Sequence, residues 1–390
     1  MSKITKISAE KILDSRGKPT VEARITSENG LTAIDSVPSG TSTGAKEAAL
    51  VDVDTACANI NQIIAPELIG LKSEDQEIID RKMIALDGTG NKSRLGANAI
   101  LGVSLAVSRV SALDQKIPLY LYLNKLFRKI SGVEISPKIP TPMMVMFCGG
   151  KHAKETESSL CIQEFLYIGE LADGINIWHS VEERLKEKNI KYTIGLEGAF
   201  APELENDEKA LQILSEAVEK ADISGEIKLG LDIAGNNCRM TNIQILENFQ
   251  KYNLFSLEDP FGEEDWERFG QLKLELEELK KPFLLIGDDL FATHKKLLEK
   301  GINQLVANGI IIKPNQVGTL TEVMEVVKIA HEAHYVSVVS HRSGETSDSF
   351  IADLAVGIGA EFLKSGAPTA HERLVKYQRI EEISKELQKN

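Results

Sequence analysis

The sequence predicts an α/β chain in which a small α+β unit, residues 1–135, precedes a (β/α)8 barrel over residues 136–390. Three observations predict it. The opening third places strand-like alternation first and helical stretches afterwards, the order of an α+β unit. Residues 131–142, with Gly132, Pro137, Pro140 and Pro142, then interrupt the pattern. Beyond them short apolar runs alternate with amphipathic stretches, as strands and outer helices of a parallel sheet do.

Composition bounds the function. A chain of 390 residues can bury a large core without staples, and 42% hydrophobic with 26% charged residues is ordinary for a globular protein. The balance of 45 basic against 58 acidic residues, net −13, repels nucleic acid and anionic membranes, so neither partner is expected. No apolar run approaches the roughly 18–20 residues of a membrane span, and no signal-peptide core is visible near the start. Cys57, Cys148, Cys161 and Cys238 are scattered without a Cys-x-x-Cys pair. That pattern predicts reduced thiols in a cytoplasmic protein, neither a disulfide framework nor a zinc site.

Along the chain, residues 4–34 read as β-structure. Val21, Ala23 and Ile25 alternate with Glu22, Arg24 and Thr26, and Asn29-Gly30 marks a hairpin turn. Residues 45–128 are mostly helical, and residues 96–113, apolar around the whole circumference, predict a buried helix. In the second unit, residues 143–147, 161–168, 228–232, 254–258, 283–288, 310–313, 335–340 and 361–364 read as the eight strands. A ninth run, residues 192–196, belongs to a connection. The last six strands end in Asp232, Glu258, Asp288, Lys313, His341 and Lys364, one βα unit apart. A barrel gathers its active site at those ends.

Three carboxylates meeting there, Asp232, Glu258 and Asp288, would repel one another unless a cation offset them. An all-oxygen set favours a hard ion such as Mg²⁺. Lys313, close to the ion or to Lys364, would have its ordinary value near ~10.4 lowered and become a proton acceptor. Metal plus lysine suits removal of a proton α to a carboxylate, with the metal holding the enediolate. Arg342 and Ser343 offer a fork and a hydroxyl for an anion. The loop 37–44, rich in glycine and small hydroxyls, suits a mobile lid. Glu164 and Glu197, taken singly, read as surface charges.

The motifs Asp14-Ser-Arg-Gly-Lys-Pro-Thr-Val-Glu22, Val37-Pro-Ser-Gly-Thr-Ser-Thr-Gly44, Gly149-Gly-Lys-His-Ala153, Gln163-Glu-Phe165, Leu257-Glu-Asp-Pro-Phe261, Gly287-Asp-Asp-Leu290, Lys313-Pro-Asn-Gln-Val-Gly-Thr-Leu320, Ser340-His-Arg-Ser-Gly-Glu-Thr346 and Lys364-Ser-Gly-Ala-Pro368 together resemble the enolase family over nearly the full length. The resemblance implies a modified TIM-type barrel whose first two strands are antiparallel, capped by the N-terminal unit. It also implies reversible dehydration of 2-phosphoglycerate to phosphoenolpyruvate in glycolysis and gluconeogenesis, with two Mg²⁺ ions, in a cytoplasmic homodimer. Carried over by position, Asp232, Glu258 and Asp288 would hold the tight ion and Ser42 the one arriving with substrate. Lys313 would take the C2 proton, and Glu197 with Glu164 would help the C3 hydroxyl leave. Arg342 and Ser343 would bind phosphate and Lys364 the substrate carboxylate, while His152, Gln163 and His341 would line the pocket. The chain departs from the family pattern at Leu196, where an acid is usual, at Cys148, and at Lys154-Glu155 in the second lid. A superfamily relative acting on another acid, and a binding paralogue without turnover, are the alternatives.

Overall fold

The computed structural model describes residues 2–40, 46–153, 158–223 and 225–389. An antiparallel meander opens the chain: β1 (Ile4–Leu13), β2 (Pro19–Ser27) and β3 (Thr32–Ser36). The period-2 pattern of β2 buries Val21, Ala23 and Ile25 and leaves Glu22, Arg24 and Thr26 half-exposed, because a strand turns alternate side chains to opposite faces. Gly30, with φ at +78°, makes the turn into β3. The expected buried helix runs Ala97–Gln115 and lies on the apolar face of the meander. Gly102 permits the close approach, since a Cβ there would sit 3.2 Å from the Ala23 methyl and 3.3 Å from a Val37 methyl.

The second sheet closes on itself. Its strands are β4 (Thr141–Cys148), β5 (Glu164–Ile168), β6 (Tyr192–Ile194), β7 (Phe200–Pro202), β8 (Lys228–Asp232), β9 (Leu254–Glu258), β10 (Leu284–Gly287), β11 (Gly309–Ile312), β12 (Val336–Ser340) and β13 (Phe362–Lys364). Eight of them, β4-β5-β8-β9-β10-β11-β12-β13, form the barrel, which shuts where β13 pairs with β4. β5 runs antiparallel to both neighbours and the other pairings are parallel. The run at residues 192–196 forms a hairpin with β7 that touches the barrel through Phe147 and Phe200, outside the eight. Met143, Val145, Leu166, Ile286, Ile311 and Val338 belong to one buried cluster, the packed interior that such barrels require.

Backbone bonds seat the N-terminal unit on the C-terminal ends of the strands. Ser39 exchanges bonds of 2.8 and 2.9 Å with Gly344, beyond β12, and the Ala48 N–H donates to the Gln316 carbonyl, beyond β11, at 2.8 Å. Among the described residues no helix is long and apolar enough to cross a membrane.

One expectation fails outright. Cys161 and Cys238, 77 residues apart, are joined by a disulfide, leaving Cys57 and Cys148 as thiols. Cys161 lies just before β5 and Cys238 just after β8. The antiparallel pairing Glu164↔Asp232 brings those two ends together, a proximity that sequence spacing does not encode.

Candidate active site

At the C-terminal ends of the strands the chain leaves a cavity of about 220 Å³, lined almost entirely by polar groups. The ladder continues past the strand ends and fixes the loops that bear those groups. The Ile233 N–H donates to the Glu258 carbonyl at 3.0 Å, the Asp259 N–H to Ile286 at 3.0 Å, and the Gln163 N–H to Asp232 at 3.0 Å. β10 stops at Gly287 and β11 at Ile312, so Asp288 and Lys313 are the first residues of loops rather than the last of strands.

Two lysines organise the acids. The buried Lys364 ammonium lies 2.7 Å from Glu258, 2.8 Å from Glu164 and 3.1 Å from Asp232. Lys313 pairs with Asp288, whose other oxygen accepts from Gln316 at 3.2 Å. Asp232 and Glu258 are therefore drawn to Lys364 and Asp288 to Lys313. Asp259, Asp288 and Asp289 each have a carboxylate oxygen within 4.8 Å of the other two. Burial, with Asp232 next in weight, pushes Glu258 well above the ordinary carboxylate range. One Glu258 oxygen is buried with no hydrogen-bond partner. An all-oxygen donor set with an orphaned carboxylate oxygen fits a hard divalent cation.

Lys313 does not behave as expected. Burial, Arg342 and Lys364 all push its ammonium down, but the adjacent Asp288, helped by Glu258, outweighs them and holds it above the ordinary lysine value. The sequence reading counted neighbouring cations and could not see that Asp288 would turn towards the lysine. Asp288 is correspondingly lowered: burial alone would raise it, and Lys313 more than offsets that.

Glu164 and Glu197 are buried, about 2% exposed each, and not the surface charges that each suggested alone. His152 joins them, its Nδ1 lying 3.3 Å from Glu164 and 3.7 Å from Glu197. Burial disfavours its charge, yet Glu197 and Glu164 raise it to about 9, so it is an imidazolium at neutral pH. His341 presents Nε2 to Glu197 at 3.4 Å and is lowered to about 4, by burial first, with Glu197 opposing and Arg373 reinforcing. Burial would raise Glu197, but His341 and His152 hold it well below the ordinary range. Glu164 moves the other way, raised by burial despite Lys364. One buried carboxyl thus favours its proton beside another that favours its charge.

Arg342 and Ser343 reach the same cavity, as do Gln163 and Lys364. The Arg342 fork already holds Glu47 at 3.0 and 3.2 Å and the Asn315 side-chain oxygen at 2.8 Å. Its anion-binding geometry is therefore in use inside the protein. Ser42, with half of the first lid (residues 41–44), and Lys154-Glu155 lie outside the described residues. Leu196 is about 37% exposed, and Cys148 lies buried beneath, its thiol facing the His152 and Ala199 carbonyls at 3.8 Å.

Two residues escaped the sequence reading. Asp259, with φ at +38°, accepts the N–H groups of Asp288 at 3.0 Å and Asp289 at 2.6 Å, and so shapes the loop that carries Asp288. The acidic doublet Glu258-Asp259 was its only signal. Arg373, fully buried in the first turn of the helix His371–Leu387, donates to His341 and to three carbonyls, and nothing in its spacing marked it.

Comparison with known proteins agrees with this architecture. Residues 4–123 match the family model described as the enolase N-terminal domain, and residues 136–247 and 236–390 match that of the enolase C-terminal TIM barrel domain. A curated relative, the enolase of Elusimicrobium minutum (strain Pei191), is 41% identical over 422 residues, covering 100% of this chain and 97% of that protein.

Proposed function

The chain belongs to the enolase family, and from that premise we propose how its residues divide the phosphopyruvate hydratase reaction that it catalyses, the reversible dehydration of 2-phospho-D-glycerate to phosphoenolpyruvate. Lys313 takes the proton from C2. Its ammonium is paired with Asp288, so it becomes a base once that carboxylate is engaged elsewhere. Two Mg²⁺ ions, one held by Asp232, Glu258 and Asp288 and the other arriving with substrate at Ser42, would offset the charge that develops on the substrate carboxylate. Glu197 passes a proton to the C3 hydroxyl, which leaves as water, and takes one back from water in the reverse direction. Glu164 and the His152 imidazolium, 3.3 Å apart, hold the protons it exchanges. Arg342 and Ser343 bind phosphate, Lys364 binds the substrate carboxylate, and Gln163 and His341 line the pocket.

The single observation that carries this division is the placement of two groups around the barrel. Lys313, paired with Asp288, directly follows β11, and Glu164, clustered with Glu197 and His152, opens β5, four strands away in the closed order β4-β5-β8-β9-β10-β11-β12-β13. Proton abstraction and hydroxide loss on adjacent carbons need two such groups on opposite sides of the substrate. Residues 1–135 we take as the capping unit and 136–390 as the catalytic barrel, on the ground that residues 133–140 carry neither helix nor strand. A cytoplasmic homodimer is the family's usual state and completes the proposal, although the Cys161–Cys238 bond is a feature of oxidising compartments.

The test is the growth of phosphoenolpyruvate absorbance from 2-phosphoglycerate, with Mg²⁺ and after chelation. Metal-dependent turnover is expected, with a loss of at least ~10³-fold in Lys313→Ala. Undiminished turnover in that variant would remove Lys313 from the role.

A further inference from the structure

We propose that Arg373 is a positioning residue that locks His341 in the Nε2–H tautomer and, through it and the neighbouring backbone, holds Glu197 in place. The inference rests on the reading of Glu197 as the hydroxyl-side acid. Arg373 is 0% exposed. One of its terminal nitrogens lies 2.7 Å from His341 Nδ1 and 2.5 Å from the Arg342 carbonyl; the other donates to the Ser343 carbonyl at 2.8 Å and the Leu196 carbonyl at 3.2 Å. A guanidinium has five N–H donors and no acceptor, and it does not lose its proton. His341 Nδ1 can therefore only accept. The single ring proton of the neutral imidazole must lie on Nε2, the atom that faces Glu197 at 3.4 Å.

The alternatives are worse on the same geometry. An Nδ1–H tautomer would set donor against donor at 2.7 Å and leave Nε2 as an acceptor facing a carboxylate. An imidazolium would add a second cation against the guanidinium in a fully buried place. The depressed His341 value agrees with the neutral ring. The charged groups facing His341 are Glu197 from the 195–199 loop, Arg373 from the last helix and Glu345 from its own loop, the last paired with Lys376 at 2.9 Å.

The same side chain ties two loops together. Its carbonyl partners belong to Leu196, immediately before Glu197, and to Arg342 and Ser343, the proposed phosphate-binding pair. The Ala367 N–H also takes the Glu197 carbonyl at 2.9 Å. Gly366, with φ at +65°, leaves room for that arrangement, since a Cβ there would lie 2.8 Å from the Glu197 carbonyl oxygen.

Side-chain ¹⁵N NMR of histidine-labelled full-length protein tests the tautomer directly, with His341 assigned by the signal lost in His341→Gln. The expected pattern is a neutral Nε2–H ring unchanged between about pH 5.5 and 8.5; an Nδ1–H or protonated pattern in the unsubstituted protein overturns the proposal whatever the variants do. Arg373→Gln, whose amide oxygen can accept from Nδ1, is expected to mix the tautomers and to lower kcat by about 10²-fold with KM changed less than about threefold. Arg373→Lys keeps a donor-only group and is expected to retain the Nε2–H pattern. An Arg373→Gln protein with the wild-type pattern and full kcat overturns the assignment. Failure of the Glu197 reading is separate: Glu197→Gln with undiminished turnover would sink that role while leaving the tautomer result intact.

Discussion

At Glu197 two histidines, His341 buried and His152 partly so, face one carboxylate and are shifted in opposite directions. His152 is raised to about 9 and His341 lowered to about 4, against about 6.5 in an unfolded chain. For His152 the folded state binds the extra proton, so its contribution is full below about pH 6.5 and is lost as pH rises towards 9. For His341 the unfolded chain binds the extra proton, so that contribution is lost as pH falls from about 6.5 to 4. Each shift is on the order of 3–3.5 kcal/mol. Calorimetric Tm against pH is therefore expected to show two limbs: His152→Gln should flatten the alkaline one and His341→Gln the acid one. An acid limb as steep in His341→Gln as in the parent would contradict a buried neutral ring. Asp232, Glu258, Asp288, Lys313, His341 and Lys364 were legible in the sequence because each closes or directly follows a strand once per βα unit, and that period is printed in the chain. Their pairing was not legible. Whether Asp288 faces a lysine or another acid depends on how loops bend beyond the strand, and that bend is set by Asp259 and the ladder rather than by any local spacing.

Among the elements, β5 departs from the repeating pattern, and the consequences are structural. Running antiparallel to β4 and β8, it places Glu164 beside Asp232 at the mouth, where a parallel strand of the same sequence would point Glu164 to the opposite end. The same reversal brings Cys161 against Cys238. The number and positions of the strands could be read from apolar runs, but the direction of β5 came only from the resemblance. Thiol counting tests the result: denaturation without reductant is expected to expose two reactive thiols, Cys57 and Cys148, and with reductant four. A cross-link spanning 77 residues stabilises by about 4 kcal/mol in the chain-entropy treatment. Cys161→Ser combined with Cys238→Ser should therefore lower the denaturation midpoint in oxidising buffer and make it insensitive to added thiol. Four thiols without reductant would show the bond to be absent in solution.

Over the whole molecule the remaining question is whether cap and barrel unfold as one body. The position of Arg342 depends on their contact, since Glu47 from the cap holds Arg342 of the barrel. The joint is a buried polar one. Asp80, from the helix Gln76–Asp87, accepts the Thr321 N–H at 3.0 Å and its hydroxyl at 2.7 Å, and takes Gln76 at 3.1 Å on the other oxygen. Burial pushes its carboxyl up to about 6 even though each of those bonds opposes the rise. Thr321 opens the barrel helix Leu320–Glu332, whose first N–H groups have no partner within the helix, and the Leu320 N–H is likewise taken from the cap side, by the Ser104 hydroxyl at 3.0 Å. The cap therefore completes a barrel helix, while Lys92 and Glu322 add an ion pair at 2.8 Å nearby. Asp80→Ala would strand a buried N–H and a hydroxyl, a loss of about 1–3 kcal/mol for each unpaired group. That loss weakens one of several polar contacts between the units, among them Glu47–Arg342, Lys92–Glu322 and the Ser39–Gly344 pair. Differential scanning calorimetry is expected to give a single transition for the parent and a split or broadened one for Asp80→Ala, with the cap melting first because its core is the smaller. A single sharp transition at the parental temperature would instead mean that the remaining contacts, including the packing of the cap helix Leu119–Ser131 on the barrel helix Phe350–Gly357, couple the units without Asp80.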